Sequence, residues 1–462
     1  MKNLRLIYIL ILFASCSKVL DQVPEYTIAD ENFWQTGNDA ESAAVGIYPA
    51  VQSLAPQFPL AFDAASDATT ALLINYSPFS THGIPVDNAI VAAYWQNNYT
   101  GIGRANDLLK HVPAMKDSLF APGRKEQLMG EAYFLRAYFY FNLVKAYGGV
   151  PLVLEPYTSF NADFTIPRSS VDSVFKQIIS DLKLAETMLP PTFAAAVSTR
   201  GRASQGGAKA LLAKAYLSVK NYGAAAAKAL EVMNSPVYSL VSGSTAYSGM
   251  FATSGKNSTE SIFEIQYVSA SAQSNGLFSY YVPVNGIPAG LQPGSYQIAP
   301  TDKMIGAYEE GDIRKNAALG FTTATPALPY VNKYTRLSNG TEPNIIALRL
   351  ADIMLVRAEA LDHLGQSADA IAVLNVIRRR AFALPLDAAS PHDYPQGTET
   401  NLTLAIENER LKELAFEGHR FYDLVRTGRA AAVLGITEDQ TLWPIPLREI
   451  GRNPRLAQNH GY

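Results

Sequence analysis

The sequence predicts a mostly α-helical protein, with helical hairpins as a scaffold, long irregular loops and a few short strands. Three observations predict it. Several long segments place apolar residues at spacings of three and four, the signature of a helix with one buried face. Two helix pairs, Ala208–Met233 and Arg349–Ala381, resemble each other and carry small Ala at their contacts, as in KALLAKAYL and VRAEALDHLG. Between the pairs, residues 236–345 are rich in Gly, Pro, Ser, Thr and Tyr and offer only strand-like pieces such as SIFEIQYV at 261–268.

The first fifteen residues are a leader. Lys2 and Arg5 precede an apolar run, Leu6 to Phe13, and the small pair Ala14-Ser15 precedes Cys16. A charged start, a hydrophobic centre and a small-residue cut site make a secretory signal peptide over 1–15. A Cys directly after the cut predicts diacylglycerol on the Cys16 sulfur. The run is shorter than the roughly 20 residues that span a bilayer, so the mature chain is expected as a globule anchored by lipid. Residues 16–35 read as the lipidated Cys and an extended tether. Asp30-Glu31-Asn32 then signals a helix start.

Asn38–Leu54 and Val91–His111 read as helices. Glu126–Tyr147 carries the strongest pattern in the chain, and Gly148-Gly149 ends it. Ser169–Leu189 is opened by a Pro-Arg-Ser-Ser cap and closed by Pro190-Pro191. The first pair turns at Asn221-Tyr222-Gly223 and the second at Gly365-Gln366. Ala at helix contacts allows close approach, which is the texture of tetratricopeptide units stacking hairpin on hairpin. Asn401–Arg429 is a further helical segment. The domain from 36 to 462 thus divides into a scaffold at about 91–235 and 345–435, and loops at about 53–90, 236–345 and 384–400. Long loops on a rigid scaffold are where binding residues concentrate.

Composition narrows the function. In 462 residues, 48% are hydrophobic and the formal net charge is −3, so neither a second membrane segment nor a nucleic-acid partner held by phosphate neutralisation is expected. Cys16 is the single cysteine; once lipidated it leaves none for a disulfide or a thiolate metal site. No G-x-S-x-G elbow, H-E-x-x-H or D-x-D-x-D-G loop occurs. Glu407 and Glu409 lie two apart on a helix and face different ways, unlike the facing carboxylates of a glycosidase. RRR at 378–380, with ENER and GHR, reads as ion pairing between helices, and His419 as a packed structural residue. Neither an enzyme nor a cofactor is expected.

Six segments in order then carry a resemblance: GEAYFLRAYFYFNLVKAYGGVPLV (130–153), IPRSSVDSVFKQIISDLKLAETMLP (166–190), GRASQGGAKALLAKAYLSVKNY (201–222), LRLADIMLVRAEALDHLGQSADAIAVLNVIRRRA (348–381), ENERLKELAFEGHRFYDLVRTGR (407–429) and LWPIPLREIGRNPRLAQNHGY (442–462). With the leader, they resemble the SusD/RagB family of outer-membrane lipoproteins of Bacteroidetes. The resemblance implies a helical body with tetratricopeptide-like hairpins supporting a less regular ligand-binding part. It also implies a place on the cell surface over a SusC-like TonB-dependent transporter, and capture of nutrient oligomers without catalysis. Most members take glycans; the RagB branch takes peptides, so a peptide or glycopeptide ligand is the alternative.

Glycan binding needs rings for the apolar C–H faces of sugars and polar groups for their hydroxyls. The loops hold that mixture, and the family's site draws on the same loops. The ligand-binding candidates are Asp63, Asp67, Tyr76 and Phe79 from the first, Trp95 just beyond it where the Val91–His111 helix opens, Tyr281 and Tyr296 from the second, and Tyr394 from the third. Trp443 belongs to the closing LWPIP signature and reads as structural.

Overall fold

The computed structural model describes residues 33–156, 164–268, 274–338, 342–397 and 400–462. The signal peptide, Cys16 and most of the tether lie outside the described residues. Among those described, no helix is long and apolar enough to cross a membrane.

Nine helices of twelve residues or more, among the described residues, form the scaffold. They are α1 (Gly37–Leu54), α2 (Ala89–His111), α3 (Arg124–Tyr147), α4 (Val171–Met188), α5 (Gln205–Ser218), α6 (Tyr222–Met233), α7 (Leu350–His363), α8 (Ser367–Ala381) and α9 (Leu402–Glu413). Side-chain caps set the starts. Thr36 and Asp39 form a capping box at α1, and Asn88, Ser170, Ser204, Asn221 and Asn401 each accept from first-turn amides. Gly148, at φ +70, stops α3.

Each helix from α1 to α8 packs on the next. The stack continues across the inserted residues 234–349: α6 docks on α7 although the chain leaves the scaffold between them. Ala225, Ala226 and Ala229 of α6, with Ala351 and Ala358 of α7, are buried, and Arg357 Nη1 donates to the Ala226 carbonyl at 2.7 Å. α2 and α3 approach closely at Gly101, where a Cβ would lie 2.2 Å from the buried Phe139 ring.

The inserted region is not loop throughout. Among the described residues, three two-stranded antiparallel sheets brace it: β1 (Thr69–Ala71) with β3 (Ile298–Pro300), β2 (Ser261–Ile265) with β6 (Ile345–Arg349), and β4 (Leu319–Phe321) with β5 (Pro329–Val331). The strand expected at 261–268 is therefore present, and residues 345–349, expected in the scaffold, are its partner. The segment expected as loop at 53–90 holds two short helices, Gln57–Ala64 and Ser77–Ser80, and β1. Apolar residues cluster there too closely for a solvated loop: Leu60, Ala61, Phe62 and Phe79 are all buried. Asn401–Arg429 is not one helix. Phe416 (φ 64) and Gly418 (φ 73) turn the chain between α9 and a short helix at Arg420–Arg426. The freed carbonyls of Ala415 and Phe416 accept from Lys333 Nζ and the Tyr334 hydroxyl.

A buried ion network joins insertion to scaffold. Glu413 of α9 meets Arg349 of β6 at 2.5 Å, Arg380 of α8 at 2.5 Å and Arg314 at 3.1 Å. Glu260 bridges Arg349 (3.0 Å) and Arg380 (2.9 Å), Glu409 takes Arg314 (2.5 Å), and Glu417 takes Arg349 and Lys333, each at 2.8 Å. All these arginines, and Glu260, Glu409 and Glu413, are at most 1% exposed. The ion pairing expected of RRR, ENER and GHR is thus realised. Burial opposes ionisation of these carboxyls, yet the neighbouring cations win. Glu409 and Glu417 are held down at about 2, and Glu413 well below the usual range. Their folded pKa values lie below the unfolded value of about 4.3. Their contribution is therefore complete above that pH and is lost as pH falls toward 2.

Two outcomes are expected. Gly101→Ala adds a better helix former by about 1 kcal/mol but overpacks Phe139 at about 1–3 kcal/mol, so chemical denaturation should show a net loss of stability. Glu413→Gln leaves three guanidiniums short of a charge and should lower unfolding free energy by about 3–5 kcal/mol; a loss under about 1 kcal/mol would remove the network from its central place.

A candidate ligand-binding face

Where β1 ends, the chain runs out along the surface. The Leu72 amide donates to the Gln297 carbonyl at 2.7 Å, and beyond it Leu72, Leu73 and Ile74 are 45%, 46% and 85% exposed. Solvating three consecutive aliphatic side chains costs free energy that burial would recover, which makes this exposed run a candidate contact surface. Beside it, Asn75 Nδ2 donates to Gln297 Oε1 at 3.4 Å, and Gln297 Nε2 donates to Ser295 Oγ at 3.1 Å. The Gln297 amide bonds the Tyr280 carbonyl at 2.7 Å, and the half-buried Tyr280 ring meets Tyr76 edge-on at 5.7 Å.

The face extends through residues 282–297 to the β4–β5 hairpin. The Tyr296 amide donates to the Val282 carbonyl at 3.1 Å, and the Thr323 amide to the Gly286 carbonyl at 2.7 Å. The Tyr296 hydroxyl donates to the Pro329 carbonyl at 2.6 Å. Val284, Phe321 and Leu328 are exposed along this stretch. The result is a surface of aliphatic and aromatic carbon edged by side-chain amides and hydroxyls.

Of the residues expected to touch ligand, Tyr296 alone belongs to this face as a half-buried ring. The structure places the others in packing or pairing contacts. Phe79 is fully buried against Trp443, centroids 5.2 Å apart, which also bears out Trp443 as structural. Tyr76 is 4% exposed beneath Tyr280. Tyr281 is fully buried, stacked on Tyr334, and its hydroxyl donates to Asp63 at 3.1 Å. Asp63 also accepts from the Gly418 amide at 3.0 Å. Asp67 receives Arg420 at 2.8 and 3.0 Å and Lys303 at 2.6 Å. Tyr394 is buried, with its amide on Asn375 Oδ1 at 2.7 Å. Trp95 is 4% exposed between Tyr99 and Tyr147, and lines a separate cleft of about 660 Å³.

Ile74, Gln297, Val284 and Phe321, which edge this face, are not among the residues expected to touch ligand. Only Ile74 carries a sequence signal, the run ALLI at 71–74 inside a polar stretch. His419 is packed as expected; burial and the nearby Lys214 keep it neutral, its pKa pushed down to about 3.

A stack of helical hairpins with a contact face built on its insertion defines a scaffold-type binding protein. Comparison with known proteins gives the family. A family model described as "Starch-binding associating with outer membrane" matches residues 27–217, and one described as "SusD family" matches 325–437. A SusD-like protein of Formosa agariphila is 28% identical over an alignment covering 100% of this chain and 99% of that protein. The starch-binding protein SusD of Bacteroides thetaiotaomicron is 28% identical over 32% of this chain and 28% of its own length. Among solved structures, a laminarin-binding SusD-like protein superposes with a TM-score of 0.80 at 28% identity, over 93% of this chain and 100% of that one. The chain belongs to the SusD/RagB family.

Asp63 supplies a pH test of the packing beneath the face. Burial pushes its carboxyl up to about 7, against the bonds from Tyr281 and Gly418 that favour its charge. A folded pKa above the unfolded value of about 3.9 means its contribution is full below that pH and is lost as pH rises toward 7. Asp63→Asn should flatten the fall in unfolding free energy between pH 4 and 7, measured by denaturant titration at each pH; an unchanged slope would assign the dependence elsewhere.

Proposed function

We propose that the chain is a surface glycan-binding lipoprotein. It captures an oligosaccharide or polysaccharide on the face spanning residues 72–75, 280–297 and 321–329. It then delivers the ligand to a SusC-like TonB-dependent transporter, and is itself held at the outer membrane through lipid on Cys16. No catalysis is assigned to it. The observation that carries the reading is Ile74, 85% exposed beside the Asn75–Gln297 amide pair. An apolar side chain next to side-chain amides matches a sugar ring's C–H face and its flanking hydroxyls. Val284 and Phe321 lengthen the apolar track beyond one ring, which suits a chain of sugars. The 28%-identical laminarin-binding relative makes laminarin the first ligand to offer.

Calorimetry with laminarin, starch and mixed peptides tests this. Binding of one glycan is expected, weakened at least tenfold by Ile74→Asp and several-fold by Asn75→Ala, with thermal stability unchanged. Binding confined to peptides would move the protein to the RagB-type reading. Glycan binding indifferent to both substitutions would take the site off this face.

A further inference from the structure

A second cleft, of about 460 Å³, opens where α6, α7, α9 and the Arg420–Arg426 helix meet. Its lining combines an apolar wall with cations whose donors are incompletely matched. Leu404, Leu411 and Leu414 of α9 and the segment after it supply the wall. At the rim, Tyr222 and His363 stack at 4.2 Å, with their rings inclined by 13°.

The internal charges of the cleft are mostly paired. Arg426 is held by Glu359 and Asp423, and Arg420 by Asp67 and Glu407. Three cations are not fully used. Lys220 is exposed, held at φ 59, and has no ion pair among the described residues. Arg429, its side chain 40% exposed, places Nε on Glu407 at 3.0 Å, and its two terminal nitrogens have no hydrogen-bond partner among the described residues. Arg410, 5% exposed, bonds Asp423 and Asp352, while its Nη1 has no hydrogen-bond partner. Unmatched donors lining one concavity favour an anion there, and guanidinium groups suit a carboxylate. Asn401 adds a neutral donor: its Oδ1 caps α9 at Leu404 N, 3.1 Å away, and its Nδ2 is left over in the cleft lining.

We infer that this cleft is a second binding site, for an acidic sugar: its carboxylate goes to Lys220 and Arg429, its C–H face to the leucine wall. The choice of a sugar over another small carboxylate rests on the glycan reading above; the anion preference stands on the cleft's own charges. The site size is that of a small-ligand pocket.

The test is calorimetry on the lipid-free chain after Cys16, with digalacturonate, its methyl ester, N-acetylphenylalanine and laminarin, at low and high salt. Digalacturonate is expected to bind, at least tenfold more tightly than the ester and more weakly at high salt. The double variant Lys220→Ala/Arg429→Gln should lose at least tenfold for digalacturonate with laminarin binding unchanged; both residues are surface-exposed, so thermal unfolding should be unaffected. Equal binding of acid and ester, no digalacturonate binding at millimolar concentration, or wild-type affinity in the variant would overturn the site. Preference for N-acetylphenylalanine would overturn its assignment to a sugar. Laminarin binding without digalacturonate binding defeats this inference alone, and digalacturonate binding without binding of any neutral glycan defeats the first face alone.

Discussion

Everything in this molecule depends on how three buried arginines meet four buried or nearly buried glutamates. Arg314, Arg349 and Arg380 enter from the insertion, from β6 and from α8, and Glu413 sits among all three. Ionised groups in an interior are tolerable when their charges and hydrogen-bonding groups are matched. This constraint fixes where the irregular region sits. β2 and β6 bring Glu260 beside Arg349, and the break after α9 brings Glu417 to Arg349 and Lys333. A hydrophobic contact would tolerate sliding; paired guanidiniums and carboxylates hold one register.

From that anchor the contact face is carried outward by main chain. Lys333 and Tyr334 are tied to Ala415 and Phe416, Tyr334 stacks on Tyr281, and the carbonyls on either side of Tyr281, those of Tyr280 and Val282, accept from the Gln297 and Tyr296 amides. The face is irregular in secondary structure, yet its backbone amides are placed by residues that never reach solvent. That arrangement limits the ordering entropy a ligand must offset on binding.

The scaffold was legible because helix periodicity and caps are local signals. Asn221 and Asn401 open helices at the expected turns, and the two Ala-rich pairs stack as their small residues imply. The ion network was legible in outline for a related reason: clustered Arg and Glu in a chain this apolar need each other. The site was not legible at residue level. Ring type points to sugar stacking only if the ring is exposed, and exposure is set by tertiary packing. Phe79 and Tyr281 are spent on the core, whereas Ile74 reaches solvent because β1 pairs with β3, a contact between residues more than two hundred apart. No window of sequence contains that fact.

The docking of α6 on α7 bears on how the chain reaches this structure. In sequence order, α1 to α6 can stack as each emerges, every helix meeting the one before it. The next surface for α6 lies beyond residue 349, so its Ala225–Ala229 face stays uncovered while the whole insertion is threaded out. Closing a loop of that length has an entropic cost that must be met before the contact returns anything. The α6–α7 seam is therefore among the contacts with the largest loop to close. Until it forms, the amino-terminal hairpins are a stack with an open end.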